Sequence, residues 1–221
     1  TLPALQAIRL LGREIANRRV RKPARESLIK FIQAVAPWFV LEEIHLLIAG
    51  YIEALVRGEI DRLMIFMPPR AGKSLLASVF LPAWYMGLHP HRKVMQSSYA
   101  SELAVGFGRQ VRALVGDQDF QTIFPGVDLR PDNKAAGRWA LTGGGEYFST
   151  GVTGGIAGKG FNLGIIDDPL SEQDAYSALA KKRVQEWYGP GFYTRRQPEQ
   201  SAILTMSTRW AKDDLPGFLI S

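Results

Sequence analysis

Apolar residues recur at intervals of three and four along the first quarter of the chain. Leu5, Ile8, Leu11 and Ile15 form one stripe. Leu28, Phe31, Ile32 and Val35 form a second, and Ile44, Leu47, Ile48, Tyr51, Ile52 and Leu55 a third. That spacing puts each set on one face of a helix. Helices are therefore expected over residues 24–57, broken near Pro37 and closed by Gly58. Then the texture changes. Arg62–Phe66 (RLMIF) is an apolar run of strand length, ended by Pro68 and Pro69, and a helical pattern resumes over Ser74–Tyr85. Lys93–Ser97 and Ser101–Val115 repeat the strand–helix unit. Residues 116–137 are polar, carry Pro125 and Pro131, and read as a loop. Trp139–Leu141 and Glu146–Ser149 flank three glycines as a hairpin. Beyond a Gly-rich stretch at 151–160, the pattern predicts strand Leu163–Ile166, helix Gln173–Tyr188, strand Ala202–Met206 and a helix starting at Asp213. Strands alternating with helices predict an α/β fold, a mostly parallel sheet flanked by helices.

Composition narrows this picture. At about 150 residues per domain, 221 residues make one large domain or two small ones. The division expected is a helical N-terminal subdomain at 1–57 and an α/β core at 58–221. With 46% hydrophobic and 22% charged residues, the chain has the balance of a packed protein and not of a disordered one. The lack of cysteine excludes disulfides, Cys-zinc sites and thiol nucleophiles. No apolar run approaches the roughly 20 residues of a membrane span, and the first residues lack a signal-peptide layout. A soluble, intracellular setting is expected. The net charge of +6 is uneven: residues 1–25 hold seven basic residues and one acid, leaving twenty of each sign elsewhere. Such a cluster is either a solvated helix face or a contact for a phosphate backbone or partner. No aromatic residues interleave it as on a base-stacking surface.

Three segments carry chemistry. In RLMIFMPPRAGKSLLASVF a strand runs through a turn into Gly72-Lys73-Ser74 and a helix. That is the context of a phosphate-binding loop, in which backbone N–H groups and a helix N-terminus face an anion. Gly72 lets the backbone approach, Lys73 reaches β- and γ-phosphate oxygens, and Ser74 offers its hydroxyl to Mg²⁺. Met67 stands where the strict pattern has its leading glycine. A competing Gly158-Lys159 lacks the pattern's glycine, its Ser or Thr and the flanking strand and helix; it reads as a loop, with Lys159 a candidate charge near the phosphates. In FNLGIIDDPL the acids Asp167 and Asp168 end a buried strand, where a carboxylate needs a partner or a metal. Beside a phosphate loop, the first acid would hold Mg²⁺ and the second would polarise the attacking water, on a strand expected next to the loop strand. Glu172 is the alternative for the second role. In ILTMSTRWAKDDL a strand ends in Ser207, Thr208 and Arg209, placed to sense the γ-phosphate. His45 and Tyr51 precede the loop strand, where either borders the nucleotide base or simply packs.

In this order and at these distances, RLMIFMPPRAGKS, LGIIDDP and STRWAKDDL resemble the large terminase subunit of tailed double-stranded DNA bacteriophages, from about Ala24 to the C-terminus. KVMQSSYASELAVGFGRQVR resembles that family's segment after the loop helix. The resemblance implies a RecA-like (additional-strand, catalytic-glutamate) P-loop ATPase that uses ATP and Mg²⁺ to drive double-stranded DNA into a procapsid. It implies a ring bound at a portal protein, with a small terminase subunit as partner, in the host cytoplasm. Carried over, Pro69, Arg70, Ala71, Gly72, Lys73 and Ser74 are loop residues, Asp167 the magnesium acid, Asp168 the catalytic carboxylate, and Ser207 and Thr208 the coupling motif. An arginine from a neighbouring subunit completes such sites; Arg109, Arg112 and Arg138 are candidates. The family's C-terminal nuclease domain lies past the end of this sequence, so an ATPase fragment without nuclease activity is expected. Other classes that use a phosphate loop are a RecA-like helicase, a small-molecule kinase and a nucleotide-gated assembly module.

Overall fold

The computed structural model of the chain describes Glu14 and residues 17–221. Seven strands form one sheet: β1 Arg62–Phe66, β2 Lys93–Ser98, β3 Leu129–Ala135, β4 Arg138–Leu141, β5 Glu146–Gly151, β6 Leu163–Asp167 and β7 Ala202–Ser207. Their order is β1-β7-β6-β2-β5-β4-β3. From β1 across to β5 the pairings are parallel, and β4 and β3 add an antiparallel edge. The mostly parallel α/β sheet expected from the sequence is the one formed. One expectation about its order fails: β6 does not lie beside β1, because β7 is inserted between them. The reason lies in burial. Every residue of β7 is buried, so it needs partners on both edges, whereas β1 has exposed ends and takes the sheet edge.

The period-two alternation of the strands feeds two cores. Val94 of β2, Leu163 and Ile165 of β6, and Leu204 and Met206 of β7 face one. Met95, Ile166 and Ile203, their neighbours in sequence, face the other. Helices Leu28–Val35, Glu43–Arg57, Ser101–Val115 and Gln118–Ile123 and the helix that follows β1 close the first core. Helix Ala178–Glu186, the wide turn Trp187–Phe192 and helix Leu215–Ile220 close the second. The result is three layers. Leu28, Phe31, Ile32, Ile48, Ile52 and Leu55 lie in the same apolar cluster as the sheet residues, so the N-terminal helices share a core with the sheet.

Residues 116–137 are not a loop. Asp117 accepts a hydrogen bond from the Asp119 N–H and starts helix Gln118–Ile123. Phe120 and Phe124 of that turn pack on Phe31, with ring centroids 6.2 and 6.0 Å away. The 173–188 helix is also interrupted, into a 3₁₀ turn Asp174–Tyr176, helix Ala178–Glu186 and the wide turn. Part of the basic cluster has a structural task. Arg21 and Arg25 donate through Nε to the carbonyls of Thr122 and Ile123, at 2.7 and 2.8 Å, where the last helix carbonyls lack partners. Arg18 and Arg21 also bond Glu14. Leu5, Ile8, Arg9, Leu11, Arg13 and Ile15 lie outside the described residues. Among the described residues no helix is long and apolar enough to cross a membrane.

A shared core predicts joint unfolding. Phe31→Ala, at a fully buried position, should lower stability by about 3–5 kcal/mol. Urea unfolding followed by circular dichroism and by tryptophan fluorescence should remain one coincident transition. Two separated transitions would mean that residues 1–57 fold independently.

Candidate functional site

Parallel α/β sheets place their sites at the carboxyl ends of their strands. At that edge β1 ends in Phe66, and the Met67 N–H donates to the Ser207 carbonyl at 3.3 Å, tying the loop to β7. Pro68, Pro69 and Arg70 are exposed, and Arg70 has φ of 63°. For a non-glycine residue that left-handed conformation costs on the order of 1–3 kcal/mol. Gly72, at φ 74°, caps the helix that begins at Lys73. This loop helix runs through Lys73–Leu75, a π-helical turn Leu76–Phe80 and Leu81–Leu88. Its first N–H groups have no partner within the helix and face the loop's open side. Gly72 is needed twice over: for its φ, and because a Cβ there would sit 3.0 Å from His45 Nε2 and 3.1 Å from the Phe39 ring.

His45 therefore braces the loop from behind. Its Nδ1 accepts from the Glu42 N–H at 2.9 Å, so Nε2 carries the hydrogen that is donated to the Ala71 carbonyl, also at 2.9 Å. Both ring nitrogens are engaged, which leaves none for a nucleotide base. Tyr51 lies exposed further along the same helix.

The loop meets the two acids. Lys73 is only 7% exposed, and a buried ammonium needs a counter-charge. Its Nζ lies 2.5 Å from Asp168 Oδ2. Asp168 Oδ1 accepts from the Thr208 N–H at 2.9 Å, and Thr208 Oγ1 donates to the Met67 carbonyl at 3.2 Å. Thr208 thus pins the end of β7 to both the loop and the carboxylate. Asp168 has φ of 45°, so it leaves the strand path just past β6. The adjacent Arg209 turns away, donating to Asp214 at 2.9 Å.

Asp167 follows the alternation of Leu163 and Ile165 and points at the loop helix. It is 1% exposed. Its Oδ2 accepts from the Ser78 hydroxyl at 2.8 Å, while Oδ1 has no hydrogen-bond partner. Burial pushes its pKa up to about 6; Ser78 opposes the rise, Asp168 adds to it, and Ser74 and Lys73 oppose it. An orphaned, buried carboxylate oxygen beside Ser74 fits a small hard cation. Among the described residues no three His, Asp or Glu side chains cluster to hold a metal. Such a cation would draw its other ligands from water or phosphate, as magnesium does.

The remaining expected residues lie apart. Glu172 is exposed, and no hydrogen bond or ion pair joins it to Lys73, Asp167 or Asp168 among the described residues. Arg109 is exposed and Arg112 half-buried on helix Ser101–Val115, and Arg138 pairs with Glu146 at 3.5 Å. Lys159 is not near the loop. It sits over the Phe148 ring in a cavity of about 100 Å³ with Lys93 and Glu146, the first residues of β2 and β5, toward the opposite end of the strands. Volume alone would mislead here: a cleft of about 320 Å³ lies against Leu75, Val79 and Phe80 of the loop helix beside Trp38, another of about 250 Å³ lies across the sheet beside Arg62, Tyr188 and Ile203, and neither is lined by Lys73, Asp167 or Asp168. The chemistry singles out the strand ends. The sequence signal for Ser78 is slight: it is the one polar residue between Ser74 and Tyr85.

Residues 64–217 match the family described as terminase large subunit, T4likevirus-type, N-terminal. The chain belongs to that terminase family. Its fold is also similar to the crystal structure of the HK97 bacteriophage large terminase, with a TM-score of 0.60 over 89% of this chain. The identity is 16%, so this second likeness concerns the fold alone, and the terminase chain described here spans 40% of that structure's length. No curated protein matches it by sequence.

The buried acid makes a stability prediction. A group with a folded pKa raised to about 6 from 3.8 destabilises the fold fully above pH 6 and ceases to do so below the unfolded value. At about 1.4 kcal/mol per tenfold change in proton affinity, the cost is on the order of 3 kcal/mol. In metal-free buffer, Asp167→Asn should therefore be the more stable form near pH 8 and lose that advantage near pH 4. Urea denaturation at the two pH values measures this; equal stability near pH 8 would contradict a buried charge whose partners only partly offset its burial.

Proposed function

We propose that this terminase-family chain binds ATP and Mg²⁺ at the 67–74 loop and hydrolyses the nucleotide as the motor part of a DNA-packaging terminase. The observation that carries the reading is the junction of Lys73, Ser74, Asp167, Asp168 and Thr208 where a half-buried helix N-terminus meets the ends of β6 and β7. Lys73 exchanges Asp168 for phosphate oxygens, supplying positive charge where negative charge builds up in the transition state. The exchange frees Asp168 Oδ2 while the Thr208 N–H still holds Oδ1, so the carboxylate keeps its place and accepts a hydrogen bond from the attacking water. Asp167 Oδ1 and the Ser74 hydroxyl are the groups that would hold magnesium. When bound, magnesium neutralises phosphate charge and orients the leaving group. Arg70 is exposed on the loop and in this reading is available to the phosphates.

In this reading hydrolysis drives double-stranded DNA into a procapsid, with the chain in a ring at the portal protein, assisted by a small terminase subunit in the host cytoplasm. An arginine of a neighbouring copy, from among Arg109, Arg112 and Arg138, completes the site.

Lys73→Ala should lower ATP turnover by about 10²–10³-fold or more, the scale for losing one preorganised donor. Normal turnover in that variant would refute the site. Asp168→Asn should slow hydrolysis while nucleotide still binds; if Glu172→Gln does so instead, the two carboxylates exchange roles. Turnover per chain should rise steeply with protein concentration. A constant rate would make the site self-sufficient, with Arg70 as its cation.

A further inference from the structure

We infer that Ser78 is a positioning residue that aims Asp167 at a divalent cation; the inference rests on the nucleotide reading of the loop. From Leu75 to Trp84 the loop helix is apolar except at Ser78. Ser78 is fully buried, and a buried hydroxyl without a partner is costly. Its partner is Asp167 Oδ2, at 2.8 Å.

The helix is shaped to make this contact. Across Leu76–Phe80 it widens to a π turn, in which the Leu81 N–H reaches back five residues to the Leu76 carbonyl. The cause is in the sequence. Pro82 has no N–H for the Ser78 carbonyl, and its ring would press on that carbonyl in a regular α-helix. Widening the turn ahead of the proline relieves both problems. Single π turns are rare and recur at functional sites. Ser74 and Ser78, four residues apart, share the face that looks at Asp167.

The consequence is a division of the carboxylate. Ser78 takes Oδ2 and thereby fixes the rotation of the group, leaving Oδ1 buried and without a partner. Ser74 already lies close enough to Asp167 to favour its charged form; without Ser78 the carboxylate is free to turn fully onto the Ser74 hydroxyl and consume the second group that a cation needs. Outer partners of this kind typically change metal affinity about 10–100-fold.

Isothermal titration calorimetry of the chain with a non-hydrolysable ATP analogue, in magnesium and in EDTA, separates the possibilities. Ser78→Ala should weaken binding about 10-fold or more in magnesium, leave binding in EDTA unchanged, and recover as magnesium is raised. Alanine is smaller and favours helix, and unchanged binding in EDTA reports an intact loop. Parent-like binding in magnesium would overturn the inference. An equal loss in both buffers would also overturn it, because Ser78 would then serve only the packing of the helix. If the parent chain binds the analogue with no magnesium effect, Asp167 holds no cation and the inference falls. If the parent does not bind the analogue at all, the nucleotide reading itself falls.

Discussion

A buried ammonium needs a counter-charge, and in this chain that need joins the loop to the sheet. Lys73 is held at the start of its helix with almost no access to solvent, and Asp168, just past the end of β6, answers it. Breaking such a pair from one side typically costs about 3–5 kcal/mol, because the remaining charge stays buried. The surrounding order follows from keeping the two groups in place. β7 is inserted between β1 and β6, and its end supplies the Thr208 N–H that fixes Asp168 and the hydroxyl that fixes Met67. His45 holds the loop from the other side.

The paired acids divide their roles by the pleat of one strand. Asp167 continues the alternation and faces the helical layer; Asp168 departs from it through a left-handed φ and faces the loop. Adjacent residues of a strand normally point to opposite faces. Here the backbone turn after Asp167 brings both carboxylates to one helix, at the cost of strain at Asp168 and of burial at Asp167. Arg70, in the loop that faces them, is strained in the same sense. Backbone strain of this kind tends to cluster at functional sites.

Much of this was legible in the sequence. Short apolar runs marked β1, β2, β6 and β7, and their ends carried the Gly72-Lys73-Ser74, Asp167-Asp168 and Ser207-Thr208 groups. Strand order was not legible, since a run such as Ala202–Ser207 specifies burial and not which neighbours provide it. A polar composition hides helix Gln118–Ile123, although its signal is present: Asp117 at the cap, with Phe120, Ile123 and Phe124 at helical spacing. Arg21 and Arg25 looked like a charge cluster, and only the fold shows that they close the end of that helix. The partner of Ser78 lies 89 positions away in sequence, beyond any local pattern.

The proposed exchange of partners by Lys73 is tested most plainly by a crystal structure of the chain with magnesium and a non-hydrolysable ATP analogue. Lys73 Nζ should leave Asp168 for phosphate oxygens, with the cation on Asp167 Oδ1 and the Ser74 hydroxyl. A nucleotide bound elsewhere, with Lys73 still on Asp168, would contradict it.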